Sequence, residues 1–252
     1  MVKRSILLDV AASSSFMPVI MLAEARLHPG TLKVRTVSID NLKNMSLKDI
    51  EGQLSVGTVE FVQTCLRRLG RPAPPPPDYS GLEHFLHRNL WETIKGRIAT
   101  RPEPVFLKPR NAYKTFTGFV LGTDPEQDAI VQGLPDNFPV WVSEPVTFLS
   151  ECRYYVKENA LMGFGRYDDG DETAPLPDPS VIRNTIACMT QRGMASYALD
   201  FGVMDSGETA LVEVTDAWAS GYYKDGTMTP LMFLDWLDTR YRQLANEPHR
   251  ER

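Results

Sequence analysis

A chain of 252 residues with 42% apolar residues, 23% charged residues and a net charge of −5 is long enough for one large domain or two modest ones. Mild acidity without a long basic run argues against nucleic acid as a partner, and no apolar run approaches the roughly 20 residues of a membrane helix. Cys65, Cys152 and Cys188 are widely spaced and form no C-x-x-C pair, so neither a disulfide framework nor a structural zinc site is suggested and a reducing cytoplasm is the expected location.

Lys3-Arg4 and the small residues near Ala23 loosely imitate a secretory signal, but Asp9 and Pro18 interrupt the apolar stretch. Residues 5–10 are instead predicted to form a buried strand, 17–27 a helix and 33–38 a second strand. A helix over 58–69 follows from the spacing of Val59, Val62, Cys65, Leu66 and Leu69, and Gly70 is placed to end it. This gives an N-terminal α/β unit over 1–80, closed by the proline-rich connector 72–77. A second unit over 81–246 begins with a predicted amphipathic helix, 81–98, whose inward residues are Leu82, Phe85, Leu86, Leu90, Ile94 and Ile98. His84 and His87 on that helix read as packing or surface residues, since no third ligand lies nearby. Strands are predicted over 105–108, 119–121 and 140–143, with a hairpin of 152–157 and 161–167 turning at Glu158-Asn159. Asp178-Pro179 carries the cap and first-turn signature of a helix to about 192, closed by Gly193. A hairpin of 196–203 and 209–214 follows, then a helix from Thr229-Pro230 and a polar tail, 247–252.

The last hairpin carries the most chemistry. With its turn centred on Ser206 and Gly207, Val203 pairs with Ala210, Phe201 with Val212 and Leu199 with Val214, which sets Asp200 directly opposite Glu213. Opposed carboxylates with Cβ atoms roughly 5 Å apart are unfavourable on a sheet unless positive charge sits between them. A hard cation such as Mg²⁺, taking oxygen ligands, resolves the conflict; the alternative is an exposed face with two unrelated acids. Upstream, Lys108 ends a predicted strand and Lys114 follows in Lys114-Thr115-Phe116-Thr117-Gly118, so two lysines bracket a short loop in a manner suited to a polyphosphate. Neither G-x-x-x-x-G-K-[ST] nor G-x-G-x-x-G is present.

The ordered set Lys108, Lys114, Val142-Ser143-Glu144-Pro145-Val146, Glu151, Arg153, Asp200 and Glu213 resembles the ATP-grasp superfamily, and in particular the clade named for one arginine and two lysines. The resemblance covers roughly residues 82–223. It implies an α/β (α+β) fold with an N-terminal α/β subdomain and two subdomains that clamp ATP. It further implies that Lys108 and Lys114 hold ATP phosphates, that Glu144, Pro145 and Val146 form the hinge whose backbone recognises adenine, and that Glu151 holds the ribose. Arg153 is then the clade's catalytic arginine beside Lys114, with Arg166 on the partner strand competing for the role. Asp200 and Glu213 are the implied Mg²⁺ ligands. The family's Glu-x-Asn is here Glu213-Val214-Thr215-Asp216, so Thr215 or Asp216 would have to serve in place of asparagine, and the glycine-rich cover loop is missing because Asn111-Ala112-Tyr113 has no glycine.

The implied activity is an ATP- and Mg²⁺-dependent ligase that joins the carboxylate of an amino acid, peptide or protein terminus to an amine. Thr215 keeps open a module that binds nucleotide without turnover. A covalent nucleotidyl-lysine enzyme lacks its Lys-x-Asp-Gly, since Lys108-Pro109-Arg110-Asn111 stands there, and simple metal-dependent hydrolysis leaves the lysines unexplained.

Overall fold

In the computed structural model, residues 4–11, 16–98, 104–168, 171 and 173–246 are described; Ser13 to Ser15 and the tail 247–252 lie outside them. The N-terminal unit runs β1 (Arg4–Asp9), α1 (Phe16–Leu27), β2 (Leu32–Val37), α2 (Ile39–Asn44), α3 (Leu47–Ile50), β3 (Leu54–Val56) and α4 (Val59–Arg68). Its three strands are parallel in the order β2-β1-β3. The sequence reading of strand, helix, strand, helix omits β3 and the short helices α2 and α3. A three-residue strand is too short to show a period, and it forms because Leu54 and Val56 pair with β1 and enter the core. Helix α4 begins where expected, with the Thr58 hydroxyl capping the Phe61 amide.

Next comes an antiparallel sheet, in the order β4-β7-β5-β6, built from β4 (Leu90–Ile94), β5 (Phe106–Pro109), β6 (Phe119–Val120) and β7 (Pro139–Ser143), with α5 (Pro125–Gly133) beside them. The helix expected over 81–98 does not form. Residues Glu83–Phe85 make one 3-10 turn, the chain reverses at His87 in the left-handed region (φ 49°), and Leu90–Ile94 is a strand. Leu90 packs into one core and Trp91 into another, a period of two that suits Trp91, Thr93 and Ile94, residues that favour strands. His84 stacks obliquely on Phe85, and His87 lies 3.3 Å from Glu208. Helix α5 is absent from the sequence reading, although Asp124 caps it and Pro125 opens its first turn.

The largest sheet, β11-β10-β8-β9-β12, is antiparallel and comprises β8 (Phe148–Lys157), β9 (Ala160–Arg166), β10 (Ser196–Met204), β11 (Thr209–Asp216) and β12 (Asp225–Gly226). Helices α6 (Pro179–Met189) and α7 (Pro230–Asn246) cover its two faces. Ile182, Ile186 and Met189 of α6 pack with Leu199, Phe201, Leu211 and Val214. On the other side, Phe233, Trp236 and Leu237 of α7 join Tyr155 and Ala198 to the core of the N-terminal unit, and the Trp236 indole donates to Val156 O at 2.8 Å. The C-terminal helix thus completes the first unit's core.

The β10–β11 turn has three residues in place of the two counted, which shifts the register next to it by one. Met204 and Glu208 close a three-residue loop in which Gly207 takes φ 86°, and Val203 pairs with Thr209 rather than Ala210, Phe201 with Leu211 rather than Val212. A bulge at Val212 then restores the register, so Leu199 faces Val214 and Asp200 faces Glu213. The two offsets cancel.

Candidate active site

A cleft of about 960 Å³ lies between the four-stranded and five-stranded sheets, with the link 144–147 joining β7 to β8 at one edge. The floor is a row across three adjacent strands: Glu213 on β11 pairs with Asp200 on β10, which pairs with Arg153 on β8. Both Asp200 oxygens accept from Arg153, at 2.8 Å from Nε and 2.7 Å from Nη2, and both residues are buried. Lys108 arrives from β5 in the other sheet and donates to Glu213 Oε1 at 3.1 Å and to the Tyr79 hydroxyl. Positive charge is what two opposed acids require, and here the protein itself supplies it.

These contacts set the ionisation of the floor. Burial disfavours the Lys108 ammonium, but Glu213 and Tyr79 outweigh it and raise its pKa. Burial likewise works against the Glu213 carboxylate, yet Lys108 and Arg153 hold it below the usual range. Burial pushes Asp200 up against the pull of Arg153. Lys114 lies on the opposite wall, in the loop between β5 and β6, with its backbone left-handed at φ 53°. Loss of water and the nearby Arg153 lower its pKa. No hydrogen bond or ion pair engages its ammonium among the described residues.

The remaining expected residues divide. Glu144 and Val146 line the cleft while Pro145 between them does not, and Glu144 is anchored by the Asn89 backbone amide at 2.9 Å. Glu151 lines the cleft; burial raises its pKa against a hydrogen bond from Tyr167. Thr215 also lines it, its buried hydroxyl close enough to the Glu213 carboxylate to help hold that group below the usual range. Asp216 does not: its carboxylate is buried against Arg240 of α7, at 2.6 Å to Nη2, so it belongs to the core and leaves the proposed ligand set. Arg166 is also elsewhere, paired with Asp168 at 2.7 and 2.8 Å outside the cleft lining. Arg153 lines the cleft, as does Arg88.

Several site residues carry no signal in the sequence. Tyr79, from the end of the proline-rich connector, stands edge-on to Trp141 with its ring 4.8 Å from the Lys108 ammonium. Arg88 donates to Leu86 O, Leu211 O and Val212 O, fixing the bulge that brings Glu213 into register. Tyr223 lies over the Arg153 guanidinium at 5.0 Å and stacks on Tyr167. The close approach needs Gly165, where a Cβ would come within 2.6 Å of Tyr223 O. Apart from Leu86, each of these partners is distant in sequence and meets its residue only through the fold.

The donor set suits Mg²⁺ as far as it goes. Among the described residues no group of three or more acids, histidines or cysteines gathers to form an all-protein cage. Mg²⁺ normally takes only one or two carboxylates and relies on substrate phosphates and water for the rest. Glu213 and Thr215 line the cleft and offer hard oxygens of that kind, while Asp200, paired with Glu213 across the strands, does not line it and has both oxygens engaged by Arg153.

Residues 85–229, more than half of the chain, match an ATP-grasp domain family, the second family of the clade named for one arginine and two lysines, and the protein belongs to that family of the ATP-grasp superfamily. The fold is shared with D-alanine–D-alanine ligase from Bacillus anthracis, at 11% identity over 97% of this chain and 99% of that one, TM-score 0.60. It is shared also with D-cycloserine synthetase DcsG (12% identity, 95% and 99% coverage, TM-score 0.57) and with N5-carboxyaminoimidazole ribonucleotide synthetase in its ADP complex (11% identity, 88% and 72%, TM-score 0.54). No curated protein matches the sequence. No helix among the described residues is long and apolar enough to cross a membrane.

Proposed function

We propose that this protein is an ATP- and Mg²⁺-dependent carboxylate–amine ligase that acts through an acyl phosphate. The observation that carries the reading is the cleft floor: an acid pair held by Lys108 and Arg153, facing Lys114, whose ammonium has no partner among the described residues. A carboxylate does not yield to an amine while its leaving group is oxide, so the acid must first be phosphorylated. Phosphoryl transfer is chiefly positioning and charge neutralisation, and needs no covalent bond to the protein. Lys108 from β5 and Lys114 from the loop after it would grip the phosphates, Arg153 would neutralise charge developing on the transferred group, and Glu151 would hold the ribose. The link 144–147 would offer its backbone edge to the base. Asp200, Glu213 and Thr215 would hold Mg²⁺, which supplies charge neutralisation at the phosphates. The amine would then displace phosphate from the acyl phosphate, with closure of the two subdomains over the reactants keeping water out. Amino acids, peptides or a protein terminus are the proposed carboxylate donors.

ADP release from ATP, screened against amino acids and short peptides with amine acceptors, tests this. Lys114→Ala and Asp200→Ala should abolish Mg²⁺-dependent release while circular dichroism remains that of the wild type; full activity in either would sink the assignment. Thr215 in place of asparagine supports one second reading, a sensor that binds nucleotide without turnover. Tight nucleotide binding with no ADP from any donor and acceptor pair would favour it.

A further inference from the structure

The opposed acids of the floor are already neutralised. Both Asp200 oxygens accept from Arg153, Asp200 is 3% exposed, and Glu213 Oε1 accepts from Lys108. A free divalent cation entering this site meets two protein cations in its place, and like charges at contact distance oppose it. Arg153 is the less movable of the two, being bidentate, buried and covered by the Tyr223 ring. Lys108 has one carboxylate partner and one phenol, and an ammonium carries three donors. A polyphosphate drawn in by Lys114 can satisfy the third donor and compete with Glu213 for the others.

We propose, on the reading of this cleft as the nucleotide site, that Lys108 is a resident counter-ion that closes the Asp200–Glu213 pair to free divalent metal, and that polyphosphate opens the pair by drawing Lys108 off Glu213. Metal and nucleotide then enter together, and each tightens the other by the same factor, because linkage between two bound species is reciprocal. Tyr79 is the positioning residue of this device: its hydroxyl, held in place by Trp141, keeps Lys108 aimed at Glu213 in the absence of nucleotide.

Mn²⁺ binding, read by electron paramagnetic resonance of the free ion, separates the parts. The intact wild-type protein alone should bind Mn²⁺ weakly, and the non-hydrolysable analogue AMP-PNP, after correction for Mn²⁺ it holds in solution, should tighten binding by about tenfold or more, within the usual range of coupling. Lys108→Met with no nucleotide present should bind Mn²⁺ about tenfold tighter than the wild type, and adding Glu213→Gln should erase the gain. Tyr79→Phe, which keeps the ring and the lysine, should give a smaller tightening in the same direction and serves if Lys108→Met does not fold. Mn²⁺ affinity no tighter than wild type in the folded Lys108 variant, or in Tyr79→Phe should that variant be the one available, would overturn the counter-ion role. Failure of AMP-PNP to bind any variant would instead remove the nucleotide reading, and the nucleotide-free comparison would still decide the role of Lys108.

Discussion

Glu213 and Asp216 sit three positions apart on β11, and each faces a basic residue from a distant element, yet the two ion pairs do different work. Asp216 is 1% exposed, and both its oxygens are taken by Arg240 in three hydrogen bonds between 2.6 and 3.1 Å. It ties the end of the sheet to α7. The Glu213 side chain is 44% exposed to the cleft and gives only Oε1 to Lys108. A saturated, buried pair locks structure, whereas a pair that opens on a cleft can exchange its partner. Proximity of opposite charges alone does not mark a ligand site; exposure to the cleft is what separates Glu213 from Asp216.

The contrast can be broken most sharply at Asp216. Asp216→Ala removes the carboxylate that faces the buried Arg240 guanidinium, so urea denaturation should show a loss of about 3–5 kcal/mol, and Asp216→Ala with Arg240→Met should recover much of it. Nucleotide binding per folded molecule should not change in either. Gly202→Ala should come next: a Cβ there would lie 2.3 Å from Phe148 Cδ1, and overpacking of this kind costs about 1–3 kcal/mol. Glu213→Gln should cost less than about 1 kcal/mol, because the pair is open to solvent screening, while removing the Mg²⁺-dependent part of nucleotide binding. The smallest effect is in pH. The folded-state pKa of Glu213 is depressed, so its contribution is complete above the ordinary glutamate value of about 4.3 and is lost as pH falls through the lower folded value. Wild-type stability minus that of Glu213→Gln should therefore be flat from neutral pH to about 5 and decline only in acid. A difference that instead grew as the pH fell would contradict the assigned sign.

Much of the chemistry is legible in the sequence because it rides on hairpins. The alternation on β10 and β11 brings Asp200 opposite Glu213, although the turn count is one residue off and the Val212 bulge repairs it. Periodicity fails over 82–98, where apolar residues spaced for one helix face in fact serve a 3-10 turn and a strand that divides its side chains between two cores. Local spacing does not report which neighbour a strand will pair with. For the same reason Tyr79, Arg88 and Tyr223 are silent in the sequence, since their partners lie 29, 123 to 124 and 70 positions away, the last from 223 − 153. Asp216 reads as a ligand along the chain because its distant partner, Arg240, is equally invisible there.

The most direct test of the central claim is thermal stability with ATP, with and without Mg²⁺, for the wild type and an Asp200→Asn, Glu213→Gln double variant. Nucleotide at a hundredfold over its dissociation constant stabilises by about 2.7 kcal/mol, a shift readily seen. The account predicts a wild-type shift that grows with Mg²⁺ and a variant in which Mg²⁺ adds nothing. A wild type that ignores ATP under both conditions, or a double variant that responds to Mg²⁺ as the wild type does, would contradict it.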